Sequence, residues 1–429
     1  MNITPLRRGP LCSALVLCLL ASTAFGQSGG SLKLTSAVTS AGGGSSTGPG
    51  NVSLDGTVGQ PTDNAIIGQG DFTLRSGFWP TTFHLPLGAP ATLGGVVTAL
   101  DGTPLGGVVI TLSGGSNTQT ITDQKGRYLF DEVRAGSSYT LTAQLANYNF
   151  SPNALSLTLM DNKSDASFVG TPISPPNANP LDTGLFFVRQ HYLDFLSREP
   201  DRGGLLYWSF EITRCGADAP CTNSRRVGVS AAFFIEQEFQ LTGFYIFRLY
   251  RAGLGRRLSY AEFNADRQQV IGGPNLETSM RAFADAFVQR AEFVQKYQSA
   301  TTADSFVDAI IQTVLQVSGV DLSAQRGALI DNYQTGSSQA QSRSIVLREV
   351  AKNSQFKQAG YNPAFVLIQY FGYLRRDPDS GGLAFWIDVL NNKEPNNYRG
   401  MVCSFITSAE YQMRFSSVVT HSNKECPGI

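Results

Sequence analysis

The sequence FVRQHYLDFLSREPDRGGLLYW, residues 187–208, recurs at residues 365–386 as FVLIQYFGYLRRDPDSGGLAFW. The two stretches are identical at 11 of 22 positions and align without a gap. Two more divergent copies begin at Tyr245 and Phe306, so the starting points of the four copies are 58, 61 and 59 residues apart. A fixed period of this size indicates a supersecondary unit that buries its apolar face against neighbouring copies. The second half of the chain is therefore predicted to be a helical domain of four degenerate copies.

Each copy is predicted to contain a helix, a tight turn and further helices. Val188, Tyr192 and Leu196 follow the spacing of one helical stripe. Pro200 forbids continuation of that helix, and Asp201 is placed to cap the next one. In the second copy, Ser259 and Glu262 have the spacing of a capping box.

Each copy also ends on a shared pattern. An apolar residue is followed six positions later by an aromatic residue, and Glu or Gln precedes that aromatic residue. The pairs are Phe233 with Phe239, Phe287 with Phe293, Val350 with Phe356, and Phe405 with Tyr411. This ending supports the assignment of the two inner copies, which lack the Pro-Asp-x-Gly-Gly turn and its tryptophan.

The repeat resembles the domain-of-unknown-function family 4214 of secreted bacterial proteins, which is similar to the phycobilisome linker domain. The shared motif is Tyr-x-x-x-Leu-x-Arg-x-Pro-Asp-x-Gly-Gly-Leu-x-x-Trp, and the resemblance covers residues 182–416. That family has no established activity to carry over, so the motif residues are expected to be structural. They are Tyr192, Arg198, Pro200, Asp201, Gly203, Gly204 and Trp208, and then Tyr370, Arg376, Pro378, Asp379, Gly381, Gly382 and Trp386.

Residues 91–170 have a different pattern, with short strands separated by glycine turns such as Asp101-Gly102 and Lys125-Gly126. Six strands are predicted, at residues 95–100, 108–113, 118–122, 127–130, 139–144 and 155–159. This spacing indicates a β-sandwich. The stretches GGVV at residue 94 and GGVVITL at residue 106 resemble the carboxypeptidase regulatory-like domain, a transthyretin-like accessory module without catalysis of its own.

The predicted fold class is therefore multidomain, with an N-terminal all-β sandwich and a C-terminal all-α helical repeat domain. Four prolines in ten residues mark the clearest domain boundary, because such a segment forms a semi-rigid spacer. The predicted order is a signal peptide (1–26), a flexible Gly/Ser-rich segment (27–50), a small β-rich segment (51–90), the sandwich (91–170), a Pro-rich linker (171–181), the helical domain (182–416) and a tail (417–429).

The start of the chain predicts export. Arg7 and Arg8 precede an apolar run from Leu11 to Ala21, and the segment ends at Ala24-Phe25-Gly26, a small-x-small cleavage signal. An uncleaved anchor is the alternative, but the run is shorter than the roughly 20 residues that span a bilayer. We expect a mature chain that starts near Gln27, has no transmembrane segment and is secreted or held at the cell surface.

Removal of the signal peptide leaves four cysteines, and an even number in an exported chain favours disulfides. Cys215 and Cys221 flank a five-residue insertion, so their pairing would close a short loop. Cys403 would then join Cys426 in the tail. A zinc site is disfavoured because the spacing is wrong and no histidine accompanies the cysteines.

The charges give no sign of nucleic-acid binding, since 33 basic residues balance 33 acidic ones. Only three histidines exist, His84, His191 and His421, and none lies in a catalytic motif. We interpret His191 as a helix-surface residue, because it lies beside the apolar stripe. No cofactor or metal is predicted.

Acidic residues in the tight turns are the best candidates for chemistry. Glu199 with Asp201, and Asp377 with Asp379, could bind calcium or act as an acid/base pair. Helix capping explains the same residues, and each turn lacks the number of oxygen ligands that calcium prefers. Trp208 and Trp386 could stack on sugars, but an inward position in the core is the stronger interpretation.

Two functions remain open. The first is an exported, non-catalytic modular protein of the bacterial cell exterior, with an accessory sandwich and a helical domain that binds an unknown extracellular protein or glycan. The alternative is a hydrolase of extracellular polymers, with paired carboxylates in a groove of the helical domain. We favour the first, in which the chain is not an enzyme.

Overall fold

The computed structural model describes the strands at residues 44–48, 52–56, 66–67 and 73–75, and then residues 90–235 and 237–426. The chain divides into two compact units, Met1–Leu87 and Gly88–Ile429. The predicted signal peptide lies outside the described residues. The first unit contains one four-stranded sheet of order β1-β2-β4-β3, with strands β1 (Gly44–Gly48), β2 (Val52–Gly56), β3 (Ile66–Ile67) and β4 (Thr73–Arg75).

Part of the segment expected to be flexible is a strand. β1 pairs antiparallel with β2, and Gly44 lies opposite Gly56. The backbone hydrogen bonds of a sheet do not require particular side chains. The Gly/Ser-rich composition therefore gave no indication of this strand.

The sandwich consists of two four-stranded sheets of order β10-β12-β5-β8 and β11-β9-β6-β7. Their strands are β5 (Pro90–Ala99), β6 (Val109–Gly114), β7 (Thr118–Ile121), β8 (Arg127–Arg134), β9 (Ser137–Gln144), β10 (Tyr148–Ser151), β11 (Leu155–Leu159) and β12 (Phe168–Pro172). The inward side chains alternate along the strands and include Leu93, Ile110, Phe130 and Leu141, all fully buried. Strands β10 and β12 were not predicted from the sequence. β12 pairs parallel with β5.

The rest of the second unit is helical, which confirms the predicted fold class. Its α-helices are α1 (Gly184–His191), α2 (Arg202–Thr213), α3 (Ala219–Ile235), α4 (Gln237–Leu241), α5 (Gly243–Leu249), α6 (Tyr260–Asp266), α7 (Leu276–Phe287), α8 (Ala291–Lys296), α9 (Ala303–Ser318), α10 (Arg326–Gln334), α11 (Gln339–Lys352), α12 (Ser354–Gln369), α13 (Ser380–Asp388), α14 (Tyr398–Ile406) and α15 (Ala409–Gln412). Within the described residues, no helix is long and apolar enough to cross a membrane.

Three copies share a geometry that the sequence did not reveal. Helices α1, α5 and α12 each continue into one turn of π-helix, at Tyr192–Leu196, Tyr250–Leu254 and Tyr370–Leu374. A left-handed residue follows each π turn: Ser197, Gly255 and Arg375. In the third copy, α9 ends on left-handed Gly319 without a π turn. A single π turn widens the helix, and this irregularity recurs at equivalent positions.

The first and last copies meet in the helical core, and the second copy also packs on the fourth. The rings of Phe195 and Tyr373 lie 5.0 Å apart, edge to face. The rings of Phe263 and Phe371 lie 5.4 Å apart. Such aromatic pairs add to the apolar burial that stabilises the stack.

The sandwich packs directly on the helices. Val109 and Ile121 of the sandwich join the helical core. The Pro-rich segment is held as well, because the Asn147 side chain accepts the Ala178 N–H at 3.0 Å and donates to the Ala178 carbonyl at 2.9 Å. The segment therefore follows the surface of the sandwich up to the first helix.

Both predicted cysteine pairs are bonded in the structure. Cys215 joins Cys221 across a sequence separation of 6, where α2 ends and α3 begins. Cys403 of α14 joins Cys426 across a separation of 23 and holds the tail against the last copy.

Candidate functional site

The Pro-Asp-x-Gly-Gly turns use their aspartates as helix caps. Asp201 Oδ1 accepts the Gly204 N–H at 2.8 Å at the start of α2. Asp379 Oδ1 accepts the Gly382 N–H at 2.7 Å at the start of α13. Each bond satisfies one N–H group that the first helical turn leaves free. Within the described part of the chain, no group of three or more His, Cys, Asp or Glu side chains is placed to hold a metal ion.

The second glycine of each turn makes room for the motif tyrosine. A Cβ on Gly204 would overlap the hydroxyl of Tyr192, and a Cβ on Gly382 would overlap that of Tyr370. The first glycine is different, since a Cβ on Gly381 would lie 3.4 Å from the nearest oxygen of Asp379, an ordinary contact. Close approach of the ring to the turn therefore requires glycine only at the second position.

The acid that precedes each proline joins the turn to a neighbouring element. Glu199 Oε1 accepts the backbone N–H of Gln124 in the sandwich at 3.0 Å. The same carboxylate binds Arg189, whose Nε and Nη2 atoms lie 2.8 and 2.7 Å from it. Asp377 Oδ1 accepts the Tyr260 N–H at 2.9 Å, at the start of α6. Glu199 therefore joins the first copy to the sandwich, and Asp377 joins the fourth copy to the second.

The motif arginines stack on the motif tyrosines. The guanidinium carbon lies 4.8 Å from the ring centre of Tyr192 for Arg198 and 5.4 Å from that of Tyr370 for Arg376. Arg376 also forms a two-pronged ion pair with Glu410, at 2.7 and 3.0 Å.

The second copy repeats this arrangement. The Arg256 guanidinium lies 5.3 Å from the Tyr250 ring centre and bonds to Glu292 at 2.7 and 2.6 Å. Glu292 and Glu410 each precede the closing aromatic residue of their copy. These ion pairs therefore explain why glutamate precedes the closing aromatic residue in the second and fourth copies.

His191 is buried completely, so the interpretation of it as a helix-surface residue is wrong. Helix α1 is buried on all sides, because the sandwich, α2, α3 and the last copy surround it. The ring nitrogens lie 2.7 Å from the Phe187 carbonyl and 2.6 Å from Ser230 Oγ, and Ser230 in turn bonds to Tyr373. Burial lowers the pKa of His191 to about 4, so the imidazole is neutral near pH 7.

A second buried polar group lies beside it. The Asp194 side chain is 1% exposed and binds Arg414 of the last copy at 2.8 Å, as well as Arg375 at 3.1 Å. Gln190 also donates to it at 2.8 Å. A buried carboxylate is tolerated when it is paired in this way, and the pairs tie the first copy to the fourth.

The two motif tryptophans are half-buried and pack on core rings. Trp208 lies 6.1 Å from Phe233, and Trp386 lies 6.0 Å from Phe405. Both side chains therefore pack against the core, as predicted, but they are only partly buried.

A groove in the helical domain lies away from the motif. Its volume is about 780 Å³, and it is formed by the start of α5, the first half of α12 and the loop between α13 and α14. We name it the amide groove because five amide side chains line it. The amides are Gln240, Gln358, Asn362, Asn391 and Asn396, and the other lining residues are Phe244, Lys352, Ser354, Lys357, Ala359, Tyr361, Pro363 and Tyr398.

Hydrogen bonds and ring contacts hold the floor of the amide groove. Tyr398 donates to Asn362 Oδ1 at 2.7 Å, and Asn362 donates to Asn391 Oδ1 at 2.7 Å. The Tyr361 ring packs edge to face on Tyr398 at 5.6 Å and on Phe244 at 6.0 Å. Burial raises the pKa of Tyr361 and of Tyr398, so both hydroxyls stay protonated near pH 7.

The sequence analysis missed this groove because its residues come from three copies and none belongs to the repeat motif. The run NNKEPNN at residues 391–397 was the available signal. Pro363 was another, since proline inside a helix leaves the carbonyl of Ala359 without its usual N–H partner.

A second groove, of about 680 Å³, separates the sandwich from the first turn. Three carboxylates line it, and each of them has a hydrogen-bond or ion-pair partner. Asp123 accepts two backbone N–H groups of its own turn at 2.8 Å, Asp131 bonds to Arg202 at 2.7 Å, and Glu199 is held as described above. This groove has carboxylates, as the hydrolase alternative requires, but each of the three is held by a partner.

Comparison with known families assigns parts of the chain. Residues 348–415 match the domain of unknown function DUF4214. Residues 92–164 match the carboxypeptidase regulatory-like domain. Both families and their order are as predicted. The DUF4214 match covers the fourth copy, a smaller region than residues 182–416 over which the repeat was traced. No curated protein matches the chain in a sequence search.

Proposed function

We propose that this chain is an exported, non-catalytic modular protein whose helical domain binds an extracellular ligand and whose sandwich is an accessory module. The observation that carries the proposal is the use of the turn carboxylates. Asp201 and Asp379 cap helices, while Glu199 and Asp377 accept backbone N–H groups of neighbouring elements. A carboxylate bound in this way lacks the freedom that a general acid or base needs to reach a substrate.

The two disulfides support the location outside the cytoplasm. Cys215–Cys221 and Cys403–Cys426 would be stable in an oxidising compartment. Fractionation of the producing cell should place the protein outside the cytoplasm, and sequencing of its N-terminus should begin near Gln27. A chain that keeps residues 1–26 would contradict cleavage.

Absence of catalysis is tested with the purified protein and a panel of extracellular polysaccharides. We expect no new reducing ends above the buffer control. Release of reducing ends that is lost in Glu199→Gln or Asp377→Asn, with the fold intact by circular dichroism, would overturn the proposal and favour the hydrolase.

A further inference from the structure

We propose that the amide groove binds an oligosaccharide that carries carboxylate groups. This proposal rests on the binding function proposed above and specifies its ligand. The groove combines ring surfaces, amide groups and lysines, and each of these matches a different part of such a ligand.

The rings match the apolar faces of sugar units. Tyr361 and Tyr398 are partly buried and stand edge to face on the floor of the groove. The C–H groups of a pyranose pack on aromatic ring surface of the kind that lines this groove. Concave sites with aromatic walls and a few placed polar groups are typical of small-molecule recognition.

The amides match sugar hydroxyls, because an amide both donates and accepts hydrogen bonds. Gln358, Asn391 and Asn396 are exposed at the walls of the groove. The Tyr361 hydroxyl has no hydrogen-bond partner among the described residues, and it remains available to a ligand. The bonds of Asn362 to Tyr398 and Asn391 fix the floor before binding, which reduces the entropy that a ligand must overcome.

The lysines favour a negatively charged ligand. Lys357 is exposed and forms no ion pair with any described residue. Lys352 pairs with Glu349 at 2.9 Å, but both side chains are exposed, so the pair is weak and easily exchanged for a ligand carboxylate. None of the described lining residues is Asp or Glu. A groove lined by one sign of charge concentrates ligands of the other sign.

A docked protein helix fits the groove less well. Helix-binding grooves are apolar and take a stripe of apolar anchors. Here amide and lysine side chains form the walls, and the most exposed aromatic side chains of the helical domain, Tyr207 and Phe210, lie outside the groove.

The test is calorimetry of the full chain with uronate oligomers of four to six units. Galacturonate, glucuronate, mannuronate and guluronate oligomers are compared with neutral gluco- and manno-oligomers of equal length. We expect one or more uronate oligomers to bind, and the neutral oligomers to bind at least about tenfold more weakly, which corresponds to ~1.4 kcal/mol. Binding should also weaken as salt is raised, because the lysines are exposed.

Variants locate the site. Lys357→Glu should weaken uronate binding about tenfold, while Lys125→Glu, an exposed lysine in the sandwich, serves as the matched control and should leave binding unchanged. Tyr361→Phe removes only a hydroxyl and should weaken binding about threefold. Melting curves of all variants check that the fold is kept.

Three results would overturn the proposal: no uronate oligomer binds, neutral oligomers bind equally well, or Lys357→Glu and Tyr361→Phe bind like the parent. Reducing ends are measured in the same samples. Binding without groove dependence overturns only this site, whereas release of reducing ends overturns the non-catalytic function.

Discussion

The hydroxyl of Tyr370 lies against Gly382 so closely that a Cβ on the glycine would overlap it. Gly382→Ala should therefore destabilise the protein by about 1–3 kcal/mol, the usual cost of forcing an extra methyl group into a packed site. Tyr370→Phe removes the oxygen, and it should restore most of that loss in the double variant. Urea unfolding of the four proteins in this cycle measures the coupling.

Gly381→Ala is the matched control, because the first glycine has room for a methyl group. It should be neutral or stabilise by up to about 0.5 kcal/mol, since alanine is the better helix former. Equal losses for the two glycines would mean that the turn requires glycine for another reason.

Glu199 is expected to couple the sandwich to the helical domain. Its partner Arg189 has a side chain that is only 5% exposed, so Glu199→Ala leaves a buried cation without its partner. We expect a loss of about 2 kcal/mol, reduced from the value for a fully buried pair because Glu199 is partly exposed. Glu199→Gln keeps an acceptor for the Gln124 N–H and should lose less.

Calorimetry distinguishes coupling from simple destabilisation. The parent should unfold in one transition, whereas Glu199→Ala should broaden or split it as the sandwich melts separately. One sharp transition at an unchanged temperature in Glu199→Ala would show that the bond does not join the domains.

The buried His191 should make the protein sensitive to acid. The pKa of His191 is about 4 in the folded chain, whereas the ordinary value of 6.5 applies to the unfolded chain. Between these two pH values the unfolded chain therefore binds more protons than the folded chain. Stability is therefore lost as pH falls from about 6.5 to 4, by at most about 1.4 kcal/mol per pH unit from this group.

His191→Gln is the natural variant, because Gln369 occupies the equivalent buried position in the fourth copy. It cannot take up a proton, so its stability should fall less than that of the parent between pH 6.5 and 4.5. The check is the free energy of unfolding of both proteins at several pH values. Parallel pH profiles would show that His191 does not titrate in this range.

Most of the fold could be predicted from short stretches of sequence. The capping role of Asp201, the capping box at Ser259 and the strands of the sandwich each depend on a few adjacent residues, and all are present in the structure. Burial of His191 could not be predicted, because an amphipathic pattern shows one buried face and gives no sign that the sandwich and the last copy cover the other. The amide groove was missed for a related reason, since only the tertiary fold brings Phe244, Tyr361 and Asn391 together.

The measurement that tests the structural role of the turns most directly is thermal melting of the parent and of Asp201→Asn, Asp379→Asn and the matching Ala variants, with and without millimolar calcium. Asparagine keeps the oxygen that caps the helix, so the Asn variants should melt close to the parent, while each Ala variant should lose about 1 kcal/mol. Calcium should shift none of them. A parent melting temperature that rises with calcium, with the rise abolished by Asn, would contradict the capping role and indicate a metal site in the turns.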